Sequence, residues 1–473
     1  MLDKLICKEN ISLFEAIKGI DKNAKGILFV TDDNLTLKGI VTDGDIRRAI
    51  INNVDLSSGV SSVMTKNFAF GTVEDSQEIL TKKINEKIRI LPILDKSNKI
   101  VNFFQYDKRV HLPISTPSLK GNEFNYLLDA FLSTWISSSG EYIKKFEHCF
   151  SSYVGCKYGV STSNGTTAIH LALEALNIGQ GDEVIVPNLT FAASINAVLH
   201  AQARPVLVDV DKNSWCISPA EIEKAITEKT KAILVVHLYG QSADIEPIMK
   251  IAKKYNLKII EDCAEAHGAE YKGKKIGSFG DINCFSFFAN KILTTGEGGM
   301  CLTNDSKLDE KMRILRDHGM SLNKKYWHDF VGYNYRMTNL QAAIGLAQTE
   351  RINEMLSFRD NLEEKYKNTL SNLGGINFQQ NIINCKKVVW LVCILFEDNS
   401  KRDKILASLK ENKIDGRPFF YPLSEMPIYR DYAKFSYHNS IEISQKGINL
   451  PTNLDVTDEN IQTIYSVIKK ALQ

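Results

Sequence analysis

The sequence predicts two α/β units in tandem: a small N-terminal one, then a large body built on a mostly parallel sheet with a smaller C-terminal lobe. Three observations predict this. The first hundred residues carry a weak internal repeat of about 60 residues. From Asn122 on, short apolar runs recur, each near a helical stretch, as in a parallel sheet covered by helices. Between the two, "DKRVHLPISTPSLKG" holds two prolines and small polar residues and reads as a linker. The resulting expected boundaries are 1–108, a linker over 109–121, a large domain over 122–356 and a small lobe over 357–473.

In the N-terminal unit, "GILFVTD" and "LKGIVT" read as strands around an Asp-Asp-Asn turn. "DGDIRRAIIN" opens a helix with Asp43 as its expected cap. The second round has a helix near 76–86, then "RILPILD" and "KIVNFF" as strands around a Lys-Ser-Asn turn. In the body, "YGVSTSNGTTAIHLALEAL" runs from strand into helix, with Ala168, Leu171, Ala172, Ala175 and Leu176 on one helical face. "DEVIVP", "RPVLVDV", "AILVVHL" and "LKIIED" supply further strands, and "VVWLVCILF" a strand in the last lobe.

Bulk properties exclude several functions. The chain has 473 residues, 44% hydrophobic and 24% charged, with a net charge of +2. No global charge favours nucleic acid or a membrane surface. No apolar stretch reaches the length of a membrane span, and "MLDKLICKEN" lacks the pattern of a secretion signal. Nine cysteines without C-x-x-C spacing suit free, mostly buried thiols in a reducing cytoplasm, and no metal site is expected.

Three short motifs carry chemistry. "SNGTTA" places glycine and threonines between a strand end and a helix start, where exposed N–H groups and hydroxyls cradle phosphate. Asp262, in "IIEDCAEAHG", follows an apolar strand and is expected at the carboxyl end of the sheet, with Glu261 and Glu265 near it. Lys291 sits in "FSFFANKILTTGEGGM", between an apolar run and a glycine-rich loop. Pyridoxal phosphate explains all three jointly. A lysine amine joins its aldehyde, a carboxylate keeps its ring nitrogen protonated, and a helix N-terminus holds its phosphate.

Two resemblances sharpen this reading. Residues 1 to about 108 resemble a tandem cystathionine β-synthase-type (CBS) module, best at "GIVTDGDIRRAI". The resemblance implies that Thr42 and Asp45 hold the ribose of an adenosine-type nucleotide; helix capping is the alternative. In the second copy Phe104 replaces the hydroxyl residue and only Asp107 matches. From about Leu112 onward, the motifs "WISSSGEYIKKFE", "SNGTTAIHLAL", "EDCAEAHGA", "FSFFANK", "TTGEGGM" and "GYNYRMTNLQAAIGLAQ" resemble the sugar-nucleotide aminotransferases of the aspartate aminotransferase superfamily.

That resemblance implies a fold-type I, pyridoxal-phosphate-dependent enzyme, a cytoplasmic homodimer with shared active sites. It implies Lys291 as the Schiff-base and proton-transfer lysine, Asp262 at the pyridine nitrogen and Glu265 near the ring hydroxyl. Phe191 would stack on the ring; Gly165, Thr166 and Ser286 would hold the phosphate; Asn334 would reach the phosphate of the neighbouring subunit. Core filling is the alternative for Phe191, and a turn role for Asn334. Trp327, His328, Arg336, Arg417 and Tyr421 match the substrate-binding segments, with structural ion pairing as the alternative for the charged ones. "YWHDFVGYNYRMTN" and "RPFFYPLSEMPIY" resemble the branch that aminates C4 of a GDP-linked 4-keto-6-deoxymannose, with glutamate as donor. Amination of a UDP-linked keto sugar, or an inactive nucleotide-sensing homologue, are the other readings.

Overall fold

Alternating apolar runs and amphipathic helices fold the first hundred residues into the same motif twice. A computed structural model describes residues 2–85, 88–105 and 112–473. The chain divides into two compact units, Met1–Arg109 and Val110–Gln473.

The first unit runs β1 (Ile6–Lys8), α1 (Leu13–Asn23), β2 (Ile27–Thr31), β3 (Leu37–Thr42), α2 (Asp43–Ile51), then β4 (Gly71–Thr72), α3 (Gln77–Lys83), β5 (Ile90–Leu94) and β6 (Ile100–Gln105). Each copy makes a three-stranded sheet in which the first two strands are parallel and the third antiparallel. Leu5, Ile27, Phe29 and Leu37 of the first copy share one apolar cluster with Ile90, Leu94 and Ile100 of the second, so neither copy buries its face alone. The cap of α2 differs from expectation. Thr42, not Asp43, is the N-cap: its backbone is extended and its hydroxyl accepts from the N–H of Asp45. Asp45 reaches back to the Thr42 N–H at 2.9 Å, completing a capping box. Asp107 and the start of the linker lie outside the described residues.

The second unit begins with α4 (Glu123–Leu132) and α5 (Glu141–Val154). Its sheet region comprises β7 (Tyr158–Thr162), α6 (Gly165–Ala175), β8 (Glu183–Pro187), α7 (Ala193–His200), β9 (Arg204–Val208), α8 (Pro219–Ala225), β10 (Thr230–Val236), α9 (Ile245–Tyr255) and β11 (Lys258–Asp262). Two short strands follow, β12 (Glu270–Tyr271) and β13 (Lys274–Lys275), then β14 (Ile282–Ser286), β15 (Gly299–Thr303) and α10 (Ser306–Arg316). The seven-stranded sheet has the order β7-β15-β14-β11-β10-β8-β9. It is parallel except at β15, which runs against both neighbours. Most core strands are buried along their whole length, which is why they read as continuous apolar runs. Helix α6 is buried on more than the expected face: Ile169, His170 and Leu173 are buried as well.

Next come α11 (Asn339–Glu350) and α12 (Ile352–Leu370), which runs unbroken across position 357. The C-terminal part holds β16 (Ile376–Phe378), β17 (Cys385–Lys386), β18 (Val392–Phe396), α13 (Ser400–Glu411), β19 (Arg417–Pro418), α14 (His438–Lys446), β20 (Gly447–Leu450) and α15 (Asp458–Leu472). Its four-stranded sheet, β16-β18-β20-β19, packs with α12, α13 and α15 around a separate apolar cluster. Among the described residues, no helix is long and apolar enough to cross a membrane.

Candidate active site

The carboxyl end of the parallel sheet opens into a cleft of about 880 Å³. Strand β11 delivers the central carboxylate. Successive residues of a strand face opposite ways, so Glu261 and Asp262 part company. Glu261 turns from the cleft and accepts N–H groups of Gly277, Phe279 and Gly280 while pairing with His237 Nε2 at 3.0 Å; it braces a loop. Asp262 lines the cleft. Ser194 Oγ donates to its Oδ2 at 2.8 Å, and the Ala264 N–H to its Oδ1 at 3.2 Å. Burial nevertheless pushes its pKa upward.

The phosphate cradle forms where α6 starts. Asn164 caps the helix, its side chain accepting from the Thr167 N–H, which leaves the N–H groups of Gly165 and Thr166 at the helix mouth. Glycine is required at 165, because a Cβ there would sit 2.7 Å from the Ser286 Cβ. Gly165, Thr166 and Ser286 therefore meet at one wall of the cleft, although 286 is remote in sequence.

Lys291 enters from the turn after β14, its N–H bonded to the Phe288 carbonyl at 2.9 Å. Its amine lies 3.5 Å from Glu265 Oε1 and 3.8 Å from the centroid of the Trp390 ring. Glu265 Oε2 accepts the N–H of Tyr239 at 2.8 Å. Tyr239 holds a left-handed backbone, with φ 53°. Strain of this kind at a non-glycine residue marks a place where surroundings dictate the backbone. Burial pushes the Glu265 carboxyl up to about 7, against the pull of Lys291. Burial also lowers the Lys291 pKa, against Glu265 and Asp262, which favours the nucleophilic amine.

This donor set fits pyridoxal phosphate: a helix mouth for phosphate, a buried strand-end carboxylate and a buried lysine all line one cleft. A model of the DegT/DnrJ/EryC1/StrS aminotransferase family matches residues 117–469. The chain belongs to that family. It is a pyridoxal-phosphate-dependent sugar aminotransferase. A CBS-domain model matches residues 1–52, the first copy of the N-terminal repeat. The GDP-perosamine synthase of Caulobacter vibrioides is 45% identical over 76% of this chain and 98% of that protein. The GDP-perosamine synthase of Escherichia coli O157:H7 is 45% identical over 75% of this chain and 96% of its own. Among solved structures, the aminotransferase from Psychrobacter cryohalolentis superposes with a TM-score of 0.71 at 30% identity, covering 76% of this chain and 99% of that one.

The other site residues expected of an aminotransferase of this family divide into two groups. Phe191 lines the cleft and is 59% exposed, which excludes simple core filling; its ring lies 5.6 Å from Phe420. Arg417 also lines the cleft and pairs with Asp415 at 3.1 Å. By contrast, Asn334, Trp327, His328, Arg336 and Tyr421 are not among the residues lining it. Asn334 is exposed, while its neighbours Tyr333 and Tyr335 line the cleft, stacked at 4.8 Å. Trp327 Nε1 donates to Asp329, His328 Nδ1 meets the His318 carbonyl, and Arg336 pairs with Asp317. In the N-terminal unit, Asp45 already meets Thr42, Arg48 and Thr65, so the capping alternative describes its contacts.

Sequence reasoning missed Ser194, Tyr239 and Trp390. Ser194 closes "LTFAAS", the stretch in which Phe191 was singled out, three residues before it. Trp390 was absorbed into a strand, whereas β18 begins only at Val392.

Proposed function

We propose that this protein transfers the amino group of glutamate to C4 of GDP-4-keto-6-deoxymannose, giving GDP-perosamine for a surface polysaccharide such as an O-antigen. What carries the reading is a cleft that keeps Lys291, in a body similar along almost its whole length to proteins named GDP-perosamine synthase.

Bound pyridoxal phosphate supplies an aldehyde that carries the amino group and a ring that accepts electrons from the reacting carbon. The chain supplies the rest. Gly165, Thr166 and Ser286 hold the phosphate through N–H and hydroxyl donors at the positive end of α6. Asp262, oriented by Ser194, holds a proton on the ring nitrogen. Glu265 would serve the ring hydroxyl, and Phe191 would pack on the ring. Lys291 Nζ would hold the cofactor and would carry the proton at the carbon that gains nitrogen. Arg417 offers a cation to the donor carboxylate or to the diphosphate.

The working unit is a cytoplasmic homodimer. Asn334 serves the neighbouring subunit's phosphate, and the segment carrying Trp327, His328 and Arg336 contributes to that subunit's substrate site. Their placement outside the cleft of their own chain supports this. Residues 1–108 form a regulatory module that takes a nucleotide at Thr42 and Asp45. Residues 122–356 carry the cofactor and 357–473 the smaller lobe.

Turnover of a panel of GDP- and UDP-linked 4-keto sugars with glutamate, products read by mass, tests the reading. The GDP-linked sugar is expected to be preferred, and Lys291→Ala to show no useful turnover. Equal turnover by Lys291→Ala would overturn it.

A further inference from the structure

The Lys291 amine has a neighbour that the chemistry above does not use. Trp390 is 3% exposed and comes from the segment just before β18. Its indole N–H donates to the carbonyl of Asn290 at 2.8 Å, gripping the very turn that carries the lysine. Its ring face receives the lysine amine at 3.8 Å from the centroid, well inside the range of a cation–π contact. Glu265 Oε1 stands at 3.5 Å from the same amine, a loose distance for a charge-assisted hydrogen bond.

The ring itself has an aromatic neighbour. Tyr239 stacks on it at 6.1 Å and 15°, and the same Tyr239 holds Glu265 by its N–H. Beneath the tryptophan, Arg359 is buried and donates to the carbonyls of Trp390 at 2.7 Å and Thr452 at 2.9 Å. Among the described residues no carboxylate pairs with Arg359, and burial pulls its guanidinium down to about 10. A desolvated arginine spent on main-chain carbonyls indicates a backbone whose position matters more than the cost of burying the charge.

We propose that Trp390 is a positioning residue for catalysis: its indole face seats the free Lys291 amine, and Arg359 fixes the backbone that presents it. The inference rests on the proposed role of Lys291. An ammonium over the indole is stabilised by the ring quadrupole, which offsets part of its desolvation. The seat keeps the amine in the cleft, and beside Glu265, whenever it is not joined to the cofactor. A tryptophan that only fills the core would occupy the same volume but would not respond to the charge on the lysine.

The test uses cofactor-free full-length protein with its tryptophans replaced by a series of increasingly fluorinated tryptophans. Fluorine withdraws charge from the ring face with little change of shape. The titration midpoint of Lys291 is read by competitive labelling with trace acetic anhydride across pH, the Lys291 peptide being quantified by mass spectrometry. The midpoint is expected to fall stepwise, by about one pH unit over the series. In Trp390→Phe it should be independent of fluorination. A wild-type midpoint unmoved by fluorination overturns the proposal. So does an equal fall in Trp390→Phe, which would place the effect in another tryptophan. Borohydride capture of pyridoxal phosphate on Lys291 reports separately on the function: capture with an unmoved midpoint sinks the seat and leaves the aminotransferase reading intact.

Discussion

Ser194 Oγ donates to Asp262 Oδ2 at 2.8 Å, tying the first turn of α7 to the last residue of β11. The bond crosses the base of the cleft between two residues that are 68 positions apart in sequence. It holds one carboxylate oxygen and so sets the direction of the other. Ser194→Ala is expected to lower kcat/KM about 10-fold, the loss of one hydrogen bond to a charged group. Asp262→Asn should cost about 100-fold or more, because a neutral amide stabilises a protonated ring nitrogen poorly. Steady-state kinetics with glutamate as donor checks both. Unchanged efficiency in Asp262→Asn would reduce that residue to a structural acid.

Glu265 gives the cofactor-free protein a pH dependence of definite sign. Burial raises its carboxyl from 4.5 to about 7, so between these values the folded state binds more protons than the unfolded one. The contribution of Glu265 to stability is therefore present below about pH 4.5 and falls as pH rises toward 7. Replacing it by Gln removes that contribution. Denaturant midpoints measured from pH 5 to 7 should decline less steeply in Glu265→Gln than in wild type. Parallel slopes would show that the Lys291 charge already compensates the burial.

Asn334 tests the shared site. It is exposed, in a segment whose two flanking tyrosines turn into the cleft of their own chain. Lys291→Ala and Asn334→Ala proteins should each be inactive or weak alone. After subunit exchange, a heterodimer holds one site with both residues intact, and activity should recover toward a quarter of wild type for random pairing, roughly. No recovery, with exchange verified by native mass spectrometry, would place Asn334 outside the neighbour's site.

Asp45 tests the N-terminal module. Its carboxylate takes the Thr42 N–H at 2.9 Å, the Thr42 hydroxyl at 2.6 Å and Arg48 at 2.7 Å. Asp45→Ala should destabilise the module by about 1–2 kcal/mol through loss of the cap, read as a lower thermal midpoint. Calorimetric titration of adenine nucleotides and GDP-sugars into both proteins decides the ligand role. Equal heats, or none, would leave Asp45 the capping-box partner of Thr42 and nothing more.

The parallel sheet, the N-terminal repeat and the cleft-lining residues Gly165, Thr166, Asp262 and Lys291 are legible in the amino-acid sequence alone. Buried strands such as Glu183–Pro187 and Thr230–Val236 are almost uniformly apolar because both their faces are covered, and that pattern is legible without coordinates. Lys291, Asp262 and the Gly165–Thr166 pair were legible for a local reason: each lies where an apolar run meets small or polar residues. Asp43 was misplaced as a cap because Asp and Thr are both good caps, and only the extended backbone of Thr42 chose between them. Only the tertiary structure decided which remote side chains meet these residues. Ser194 reaches Asp262 because α7 begins beside the end of β11. Trp390 reaches Lys291 because the segment before β18 packs on the turn after β14, where its indole N–H meets the Asn290 carbonyl. Neither contact has a period or a spacing along the chain, since each depends on how elements far apart in sequence pack.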